Sequence, residues 1–338
     1  MKLLIFTQKV DENDSVLGFF HRWIAEFAKH CASVIVICLE QGEHHLPENV
    51  RVLSLGKEKR HSRAQYLFRF YRYIWQERKN YDAVFVHMNQ EYVLLGGLVW
   101  KFLGKKITMW RNHANGSWAT RIAVFLSDIV FCTSPQSFTA MFEKTKIMPV
   151  GVDTNFFKPD LGIHRKTNSI LFLGRIAPVK NVDIFIEVLK ALKDNGVKFY
   201  ATIAGGFSDK DAEYEKMIRD KVVVYDLGGS VGFTGAVSQP EALKLYREHE
   251  LYMNLTPSGS MDKTIFEAMA TGMTPLVSNI GLKGFLDDRF VVKNMDINDI
   301  AEKVAQILGS RKANNFRDSI VQNHSLECLM TELNKEFV

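Results

Sequence analysis

Two cations of different geometry stand five residues apart in the stretch GRIAPVKN, directly after the strand-like run SILFL. Arg175 carries a planar guanidinium that can contact two oxygens at once, and Lys180 carries a compact ammonium. The stretch leads into a helix-like segment, whose first amides also attract anions, so the pattern is typical of a diphosphate site. Two solvated basic residues beside a turn would give the same sequence, and both interpretations stay open.

A carboxylate, Glu267, lies among apolar residues in the stretch TPSGSMDKTIFEAMATGMTPLVSN. Burying a carboxylate is costly unless donors pair with it, and two vicinal hydroxyls, as in a ribose, are suitable donors. The alternative is an acid in the first turn of a helix, stabilised only by the helix dipole. Glycines that end strands, in IAGG and FTGAV, would let a ligand approach the backbone, although such glycines are often only turns.

Short β-branched or aromatic runs alternate with amphipathic helical segments through most of the chain, which is the pattern of parallel α/β sheets covered by helices. In such sheets ligands bind at the carboxyl ends of the strands. The predicted strands of the first half are KLLIFT, SVIVICL, RVLSL, DAVFVHM, KKITMW and DIVFCTS. Those of the second half are SILFLGRI, KFYATIAGG, VGFTGAV, ELYMNLTP, TPLVSN and RFVVK.

The restart of this pattern predicts two Rossmann-like α/β domains that face each other across a cleft. The predicted divisions are an acceptor-binding domain (1–150), a Gly- and Pro-rich linker (151–168), a donor domain (169–320) and a final helix that crosses back to the first domain (321–338).

Composition narrows the class of protein. With 338 residues and 46% hydrophobic content the chain can bury a sizeable core, and its net charge of +5 comes entirely from the first half, since residues 156–338 sum to −1. Its four cysteines form no CxxC pair, so we expect reduced thiols in a cytoplasmic protein, with no disulfide and no zinc. No apolar run is long enough to span a bilayer, and the N-terminal run reads as a strand.

The second half resembles glycosyltransferase family 4, the retaining sugar-nucleotide transferases of the GT-B fold. The resemblance rests on MPVGVDTNFFKP, GRIAPVKN, GFTGAV and TPSGSMDKTIFEAMATGMTPLVSN, which occur in the family's order between residues 148 and 280. It implies that Arg175 and Lys180 hold the diphosphate of a UDP- or GDP-sugar and that Glu267 binds the ribose hydroxyls. The family usually has a second Glu eight positions earlier, where this chain has Gly259, and Asp262 is the nearest acid.

The donor site that we predict on this basis comprises nine residues. They are Gly174, Arg175, Lys180, Gly205, Asp262, Lys263, Thr264, Ile265 and Glu267. The backbone amides of Lys263, Thr264 and Ile265, at the start of a helix, would bind phosphate or sugar oxygens.

The acceptor side is expected in the first half. The resemblance places a functional His at His113, in TMWRNHANGSW, which would hydrogen-bond the donor sugar and act in catalysis with Arg175 and Lys180. His87 after DAVFV, Asn112 and Gly18 at the head of a helix complete the predicted acceptor side. A His at a strand end is otherwise often a capped or partly exposed residue. The acids Asp11, Glu12 and Asp14 either contact hydroxyls of a sugar acceptor or are solvated, and we expect them to be solvated.

Arginines interleave with aromatic residues in KEKRHSRAQYLFRFYRYIWQERKN, residues 57–80. This composition suits an anionic membrane surface, although a crossover helix with its aromatics on the sheet and its arginines in water explains it equally well. Nucleic acid is disfavoured, because the chain has no recognised nucleic-acid-binding module.

We therefore predict a retaining glycosyltransferase that needs neither cofactor nor metal and acts on a glycan or polyprenyl-linked acceptor, in the cytoplasm or peripherally at the inner face of the membrane. A sugar-nucleotide epimerase and a catalytically silent nucleotide-sugar-binding protein are the alternatives on the same scaffold. A third alternative is a metal-dependent GT-A transferase that uses Asp209 and Asp211 of SDKDAEY. It is disfavoured because the alternation of strands and helices restarts in a second sheet, whereas GT-A is a single domain.

Overall fold

A computed structural model describes residues 1–259, 261–310 and 315–337 of the chain. The chain forms two compact units, one made of Met1–Gly151 with Leu326–Val338, and the other of Val152–Ser325. Each unit is an α/β layer structure built on a parallel sheet, so the predicted pair of Rossmann-like domains is confirmed.

The first unit has a seven-stranded sheet in the order β3-β2-β1-β4-β5-β6-β7. Its strands are β1 (Lys2–Val10), β2 (Ser33–Gln41), β3 (Val50–Ser54), β4 (Ala83–His87), β5 (Lys106–Trp110), β6 (Ile129–Cys132) and β7 (Thr145–Ile147). Its helices are α1 (Gly18–His30), α2 (Arg63–Glu77), α3 (Glu91–Phe102), α4 (Trp118–Leu126) and, from the end of the chain, α11 (Leu326–Phe337).

The second unit has a five-stranded sheet in the order β10-β9-β8-β11-β12. Its strands are β8 (Ser169–Leu173), β9 (Tyr200–Ala204), β10 (Val231–Gly235), β11 (Leu251–Asn254) and β12 (Thr274–Val277). Its helices are α5 (Val182–Asp194), α6 (Ala212–Val224), α7 (Gln239–Glu248), α8 (Lys263–Ala270), α9 (Ile297–Ser310) and α10 (Phe316–His324).

Every strand pair between neighbours in the two sheets is parallel, as the near-continuous apolar strands indicated. The predicted strand RFVVK is wrong. Its residues form a 3₁₀ turn, Asp288–Phe290, followed by a single bridge from Val291 to Val277. The short edge strand β7 was not predicted, because three polar and apolar residues carry no clear alternation.

The segment predicted as a linker, 151–168, belongs to the second unit from Val152 onward. It is held there by buried Phe157 and by Arg165, whose guanidinium donates to the carbonyl oxygens of His249 and Thr271 at 2.8 Å each. At the other end, α11 begins at Leu326 and buries its apolar side in the core of the first unit against α1. The unit boundary thus lies five residues beyond the predicted start of the final helix at residue 321.

None of the helices in the described parts of the chain combines the length and the apolar character that crossing a bilayer requires.

Candidate active site

Backbone hydrogen bonds bring together the carboxyl ends of β8, β9 and β10 in the second unit. The amide of Gly174 donates to Ala204 O at 2.9 Å, and the amide of Gly205 donates to Gly235 O at 2.8 Å. A Cβ on Gly205 would lie 1.9 Å from the carbonyl oxygen of Gly174, so only glycine fits at this position. Of the strand-end glycines in IAGG and FTGAV, Gly205 is thus required for the close approach of these loops, whereas a Cβ on Gly235 would meet open space.

Arg175 follows Gly174 and is exposed. Its guanidinium makes no hydrogen bond or ion pair with any residue that the structure describes. An exposed arginine beside converging strand ends can rotate onto a ligand without first breaking an internal contact.

Lys180 has a different environment. Its Nζ lies 2.5 Å from Oδ2 of Asp262, and both side chains are largely shielded, with 20% and 16% of their surface exposed. The contact joins the turn after β8 to the residue that precedes α8, which brings two of the predicted motifs together. The neighbouring Asn181 donates to Leu255 O at 2.8 Å and ties the same turn to the end of β11.

Asp262 is the centre of a polar cluster at the start of α8. Besides Lys180, its Oδ2 accepts hydrogen bonds from Thr256 Oγ1 at 2.9 Å and from Asn254 Nδ2 at 3.1 Å. Burial raises the pKa of this carboxyl, but the charge and hydrogen bond of Lys180 and the two neutral donors outweigh burial, so the pKa lies below its ordinary value. The aspartate is therefore ionised at neutral pH.

The first turn of α8 carries three more of the predicted donor-binding residues, Lys263, Thr264 and Ile265. Burial lowers the pKa of Lys263 to about 7, an effect that the nearby Glu267 opposes. Thr264 Oγ1 lies 2.7 Å from the hydroxyl of Tyr252. The side chain of Ile265 is fully buried and its amide donates to Asp262 O at 3.1 Å, so this amide is already engaged by the capping residue.

Glu267 is the fifth residue of α8, beyond its first turn, and is 4% exposed. Its Oε2 accepts a hydrogen bond from the buried hydroxyl of Tyr246 at 3.1 Å. Burial, and then the charge of Glu267, raise the pKa of that tyrosine well above its ordinary value, so the phenol remains a donor. Glu267 is therefore a paired, buried carboxylate and not a solvated helix-cap acid.

Sequence reasoning missed the partners Asn254, Thr256, Tyr246 and Tyr252. Asn254 ends β11 in the run LYMN, and a polar residue that closes a buried strand is the signal that could have identified it. The tyrosines resemble ordinary core aromatics in sequence, and no local pattern distinguishes them.

The predicted acceptor-side residues lie in the first unit. His113 is exposed in the loop after β5, with Nδ1 2.9 Å from both the amide nitrogen and the carbonyl oxygen of Asn115. A neutral ring that accepts from the amide carries its proton on Nε2, which is then a hydrogen-bond donor. Asn112 has a positioning role, since its Oδ1 accepts from the amide of Thr133 at 2.7 Å and joins the ends of β5 and β6.

His87 and Gly18 are more enclosed than the sequence suggested. His87 is 1% exposed, stacks on Phe20 with ring centroids 3.7 Å apart, and has Nδ1 3.2 Å from Thr7 Oγ1. The Gly18 amide donates to Asp14 O at 3.0 Å, so it is already engaged at the start of α1. The structure thus places His87 in the core, and its predicted acceptor contact stays a prediction.

The acids after β1 are paired, contrary to the expectation that they are solvated. Lys9 Nζ lies 3.1 Å from Asp11 and 2.9 Å from Asp14, and Glu12 lies 2.8 Å from Nδ1 of His45. The order of residues along the chain does not reveal the contact between Glu12 and His45, because His45 comes from the segment after β2.

Comparison with known proteins matches both halves of the chain to glycosyl transferase families. A model described as "Glycosyl transferases group 1" matches residues 153–324, and one described as "Glycosyl transferase 4-like" matches residues 13–113. Among curated relatives, poly(ribitol-phosphate) alpha-N-acetylglucosaminyltransferase of Staphylococcus aureus is 28% identical over 49% of this chain and 35% of its own length. Mannosylfructose-phosphate synthase of Agrobacterium fabrum is 26% identical over 45% of this chain and 38% of its own length.

The matches therefore span less than half the length of these curated relatives. Among solved structures, Anabaena HepE in complex with UDP and glucose superposes with a TM-score of 0.78 and 17% identity, covering 99% of each chain. At that identity the similarity shows the fold, which is GT-B.

Proposed function

The chain belongs to the group 1 glycosyl transferases, and we propose that it moves a sugar from a uridine diphosphate sugar to an acceptor hydroxyl with retention of anomeric configuration. The contact between Lys180 and Asp262 is the observation that carries the proposal, because it joins a cation of the motif GRIAPVKN to an acid at the start of α8. We propose UDP and not GDP as the nucleotide because the structure of HepE, which shares the fold, is a complex with UDP.

In the proposed reaction the bond between the anomeric carbon and the diphosphate oxygen breaks, and the acceptor oxygen bonds to that carbon on the same face. The acceptor proton passes to the departing phosphate. Arg175 and Lys180 stabilise the negative charge that develops on the diphosphate, and no protein nucleophile or metal is needed. The backbone amides of Lys263 and Thr264, at the start of α8, add a partial positive charge near the diphosphate.

Glu267 binds the ribose diol in this proposal, with Tyr246 holding the carboxylate in position. The strand-end glycines Gly174 and Gly205 let the donor approach the backbone closely. On the other unit, His113 donates a hydrogen bond to the donor sugar, and Asn112 holds the loop that carries it. A His113→Ala variant that keeps full turnover would contradict this role.

The acceptor in this proposal is a glycan or a polyprenyl-linked saccharide used in cell-surface polysaccharide or glycolipid synthesis. Residues 57–80 bring the protein to an anionic membrane surface at the cytoplasmic face. The exposed side chains Arg63, Arg72 and Lys79 support this assignment, since they provide positive charge on and beside α2.

Calorimetric titration with UDP and GDP tests the donor half of the proposal. Arg175→Ala should raise the Kd for UDP by about tenfold to a hundredfold, as expected for the loss of a charge-assisted contact of about 1.5–3 kcal/mol. Glu267→Gln keeps the shape and the Tyr246 contact but removes the charge, and should weaken UDP more than it weakens inorganic diphosphate.

Lys198→Ala is the matched control, because this exposed lysine precedes β9 and so lies at the opposite end of the strand from Gly205. The Kd of Lys198→Ala for UDP should equal that of the wild type. The proposal fails if neither UDP nor GDP binds, or if Arg175→Ala binds UDP as tightly as the control does. Retention is then tested by the anomeric proton coupling of the transferred sugar in the NMR spectrum of the product.

A further inference from the structure

Three helices of the first unit, α2, α3 and α4, cover the same face of its sheet. Their inward residues, such as Phe70, Trp100 and Val124, share one core cluster, whereas α1 and α11 belong to the cluster on the opposite face. The strand order explains this arrangement, because right-handed connections β3 to β4, β4 to β5 and β5 to β6 all progress in the same direction across the sheet. The outward sides of the three helices therefore point away from the same face of the sheet.

These outward sides are apolar. Each helix carries a second hydrophobic stripe at helical spacing, opposite the one that faces the core. The exposed members are Leu67, Phe68, Tyr71 and Trp75 on α2, Leu95, Leu98 and Phe102 on α3, and Trp118, Ile122 and Phe125 on α4. Phe102 is 84% exposed, Trp118 81%, Phe125 75%, Leu98 71% and Phe68 67%, so these are not the edges of core residues. We call this surface the helix platform.

The platform is continuous across its helices. The hydroxyl of Tyr71 on α2 donates to Leu95 O on α3 at 3.0 Å, and the groove between the two helices is lined by Tyr71, Trp75, Leu98, Val99 and Phe102. Helices α3 and α4 pack directly, and so closely that a Cβ on Gly97 would lie 3.1 Å from the Cβ of Leu126. A helix that is apolar on all sides is normally covered on all sides, and soluble proteins seldom expose so large an apolar patch without a partner.

Basic residues surround the apolar surface. Arg63, Arg72, Lys101 and Arg121 are exposed on the three helices. The exposed acids are Glu91 on α3 and Asp128 just after α4, which lies 3.4 Å from Lys101 Nζ. The two tryptophans of the helix platform lie beside guanidinium groups, with Arg78 4.5 Å above Trp75 and Arg121 5.9 Å from Trp118. Tryptophan, tyrosine and arginine that reach outward around an apolar centre are characteristic of the bilayer interface.

The charge distribution also decides against a second copy of the chain as the occupant. A two-fold dimer through this surface would bring arginines of one copy toward arginines of the other, and like charges oppose association. An anionic lipid surface offers the complementary charge and accepts the aromatic side chains at headgroup depth.

We propose that the helix platform is a membrane-docking surface that inserts its exposed aromatic and aliphatic side chains into an anionic bilayer. It extends the contact proposed above for residues 57–80 to α3 and α4, which the sequence interpretation did not include. The bound protein contacts the bilayer with the outward sides of three helices. A protein held at one leaflet in this way would meet an acceptor saccharide that is carried by a lipid of the same leaflet.

Co-flotation with vesicles tests the proposal without donor or acceptor, so it fails or succeeds separately from glycosyl transfer. The full chain is mixed with phosphatidylcholine vesicles that contain either no anionic lipid or about 30 mol% phosphatidylglycerol. We expect at least about tenfold stronger partition into the anionic vesicles, with a steep decrease as salt rises from about 0.05 M to about 0.5 M.

Two variants and a control locate the contact. Trp75→Ser/Leu98→Ser/Phe102→Ser should lower the partition coefficient by about tenfold or more, because three apolar side chains no longer insert. Arg72→Gln/Lys101→Gln should remove most of the preference for anionic lipid. Val223→Ser/Val224→Ser is the matched control, since each of these valines on α6 is 77% exposed and lies in the other unit, and it should bind as the wild type does.

The proposal is overturned if the wild type stays in the soluble fraction with anionic vesicles at low salt, or if the triple serine variant floats as well as the control. It is also overturned if light scattering shows a dimer that the triple variant dissociates while neither protein binds vesicles. Circular dichroism of each variant confirms that a loss of flotation does not reflect unfolding, and the charge variant gives an independent result if the serine variant is less stable.

Discussion

The ion pair between Lys180 and Asp262 makes a specific prediction, because the cation proposed to bind the diphosphate already has an anionic partner. The two charged atoms are 2.5 Å apart and their side chains are 20% and 16% exposed. Two unit charges about 4 Å apart interact by about 4 kcal/mol at an effective dielectric constant of about 20. Solvent screening and the desolvation of both groups reduce the net contribution to about 1–2 kcal/mol.

A donor diphosphate must compete with Asp262 for Lys180 or share it. Asp262→Asn removes the competing charge while keeping a side-chain oxygen that can accept from Thr256 and Asn254. We therefore expect this variant to bind UDP at least as tightly as the wild type, with a gain of up to about tenfold, or about 1.4 kcal/mol. Lys180→Met should instead weaken UDP by about tenfold to a hundredfold, through the loss of a charge-assisted contact.

Calorimetry with UDP and urea unfolding of the free protein, carried out on both single variants and the double variant, measure the two effects. In unfolding, each single variant should lose about 1–2 kcal/mol and the double variant less than the sum, because the two residues share one interaction. The pair Lys166–Glu248, 3.1 Å apart and more exposed, supplies the control, and Glu248→Gln should leave UDP binding unchanged. The reasoning is refuted if Asp262→Asn weakens UDP as much as Lys180→Met does.

Two further predictions concern the scaffold of the second unit. Gly205→Ala should lower the free energy of unfolding by about 2–4 kcal/mol because its Cβ meets the Gly174 carbonyl, whereas Gly228→Ala, which has open space, should cost less than about 1 kcal/mol in the same urea titration. Burial lowers the pKa of His324 to about 4. The unfolded chain then binds more protons between pH 6.5 and 4, so stability should fall by about 2 kcal/mol from pH 7 to pH 4.5, and His324→Leu should flatten that slope.

The fold was predictable to the extent that buried parallel strands are apolar along their whole length. Runs such as SVIVICL and SILFL became β2 and β8, and the restart of the pattern after residue 150 predicted two units. RFVVK has a β-branched and aromatic centre as well, but it forms only a bridge to Val277, because strand formation needs a neighbour with free backbone groups over several residues. A local sequence run does not specify that neighbour.

The candidate site was predictable where its residues share one segment, and not where they come from different segments. Arg175, Lys180 and Glu267 stand in motifs whose order along the chain resembles the family. Their partners come from other elements, as Tyr246 does from α7, and only the folded sheet brings them within hydrogen-bonding distance. The burial of His87 was not predictable either, because a histidine at a strand end has the same sequence context whether it faces a ligand or stacks in the core.

The position of Asp262 also bears on the acid that this chain lacks at Gly259. All three hydrogen bonds of the Asp262 carboxylate are made by Oδ2, and Oδ1 accepts none from the described residues. One oxygen can therefore hold Lys180 while the other accepts from a hydroxyl of the donor sugar, which would compensate for the missing glutamate. UDP lacks the sugar that is transferred and so does not test Oδ1, whereas the intact UDP-sugar does. Asp262→Asn should therefore bind UDP as well as or better than the wild type but turn over the UDP-sugar more slowly, and a parallel change in both would assign the residue to the diphosphate alone.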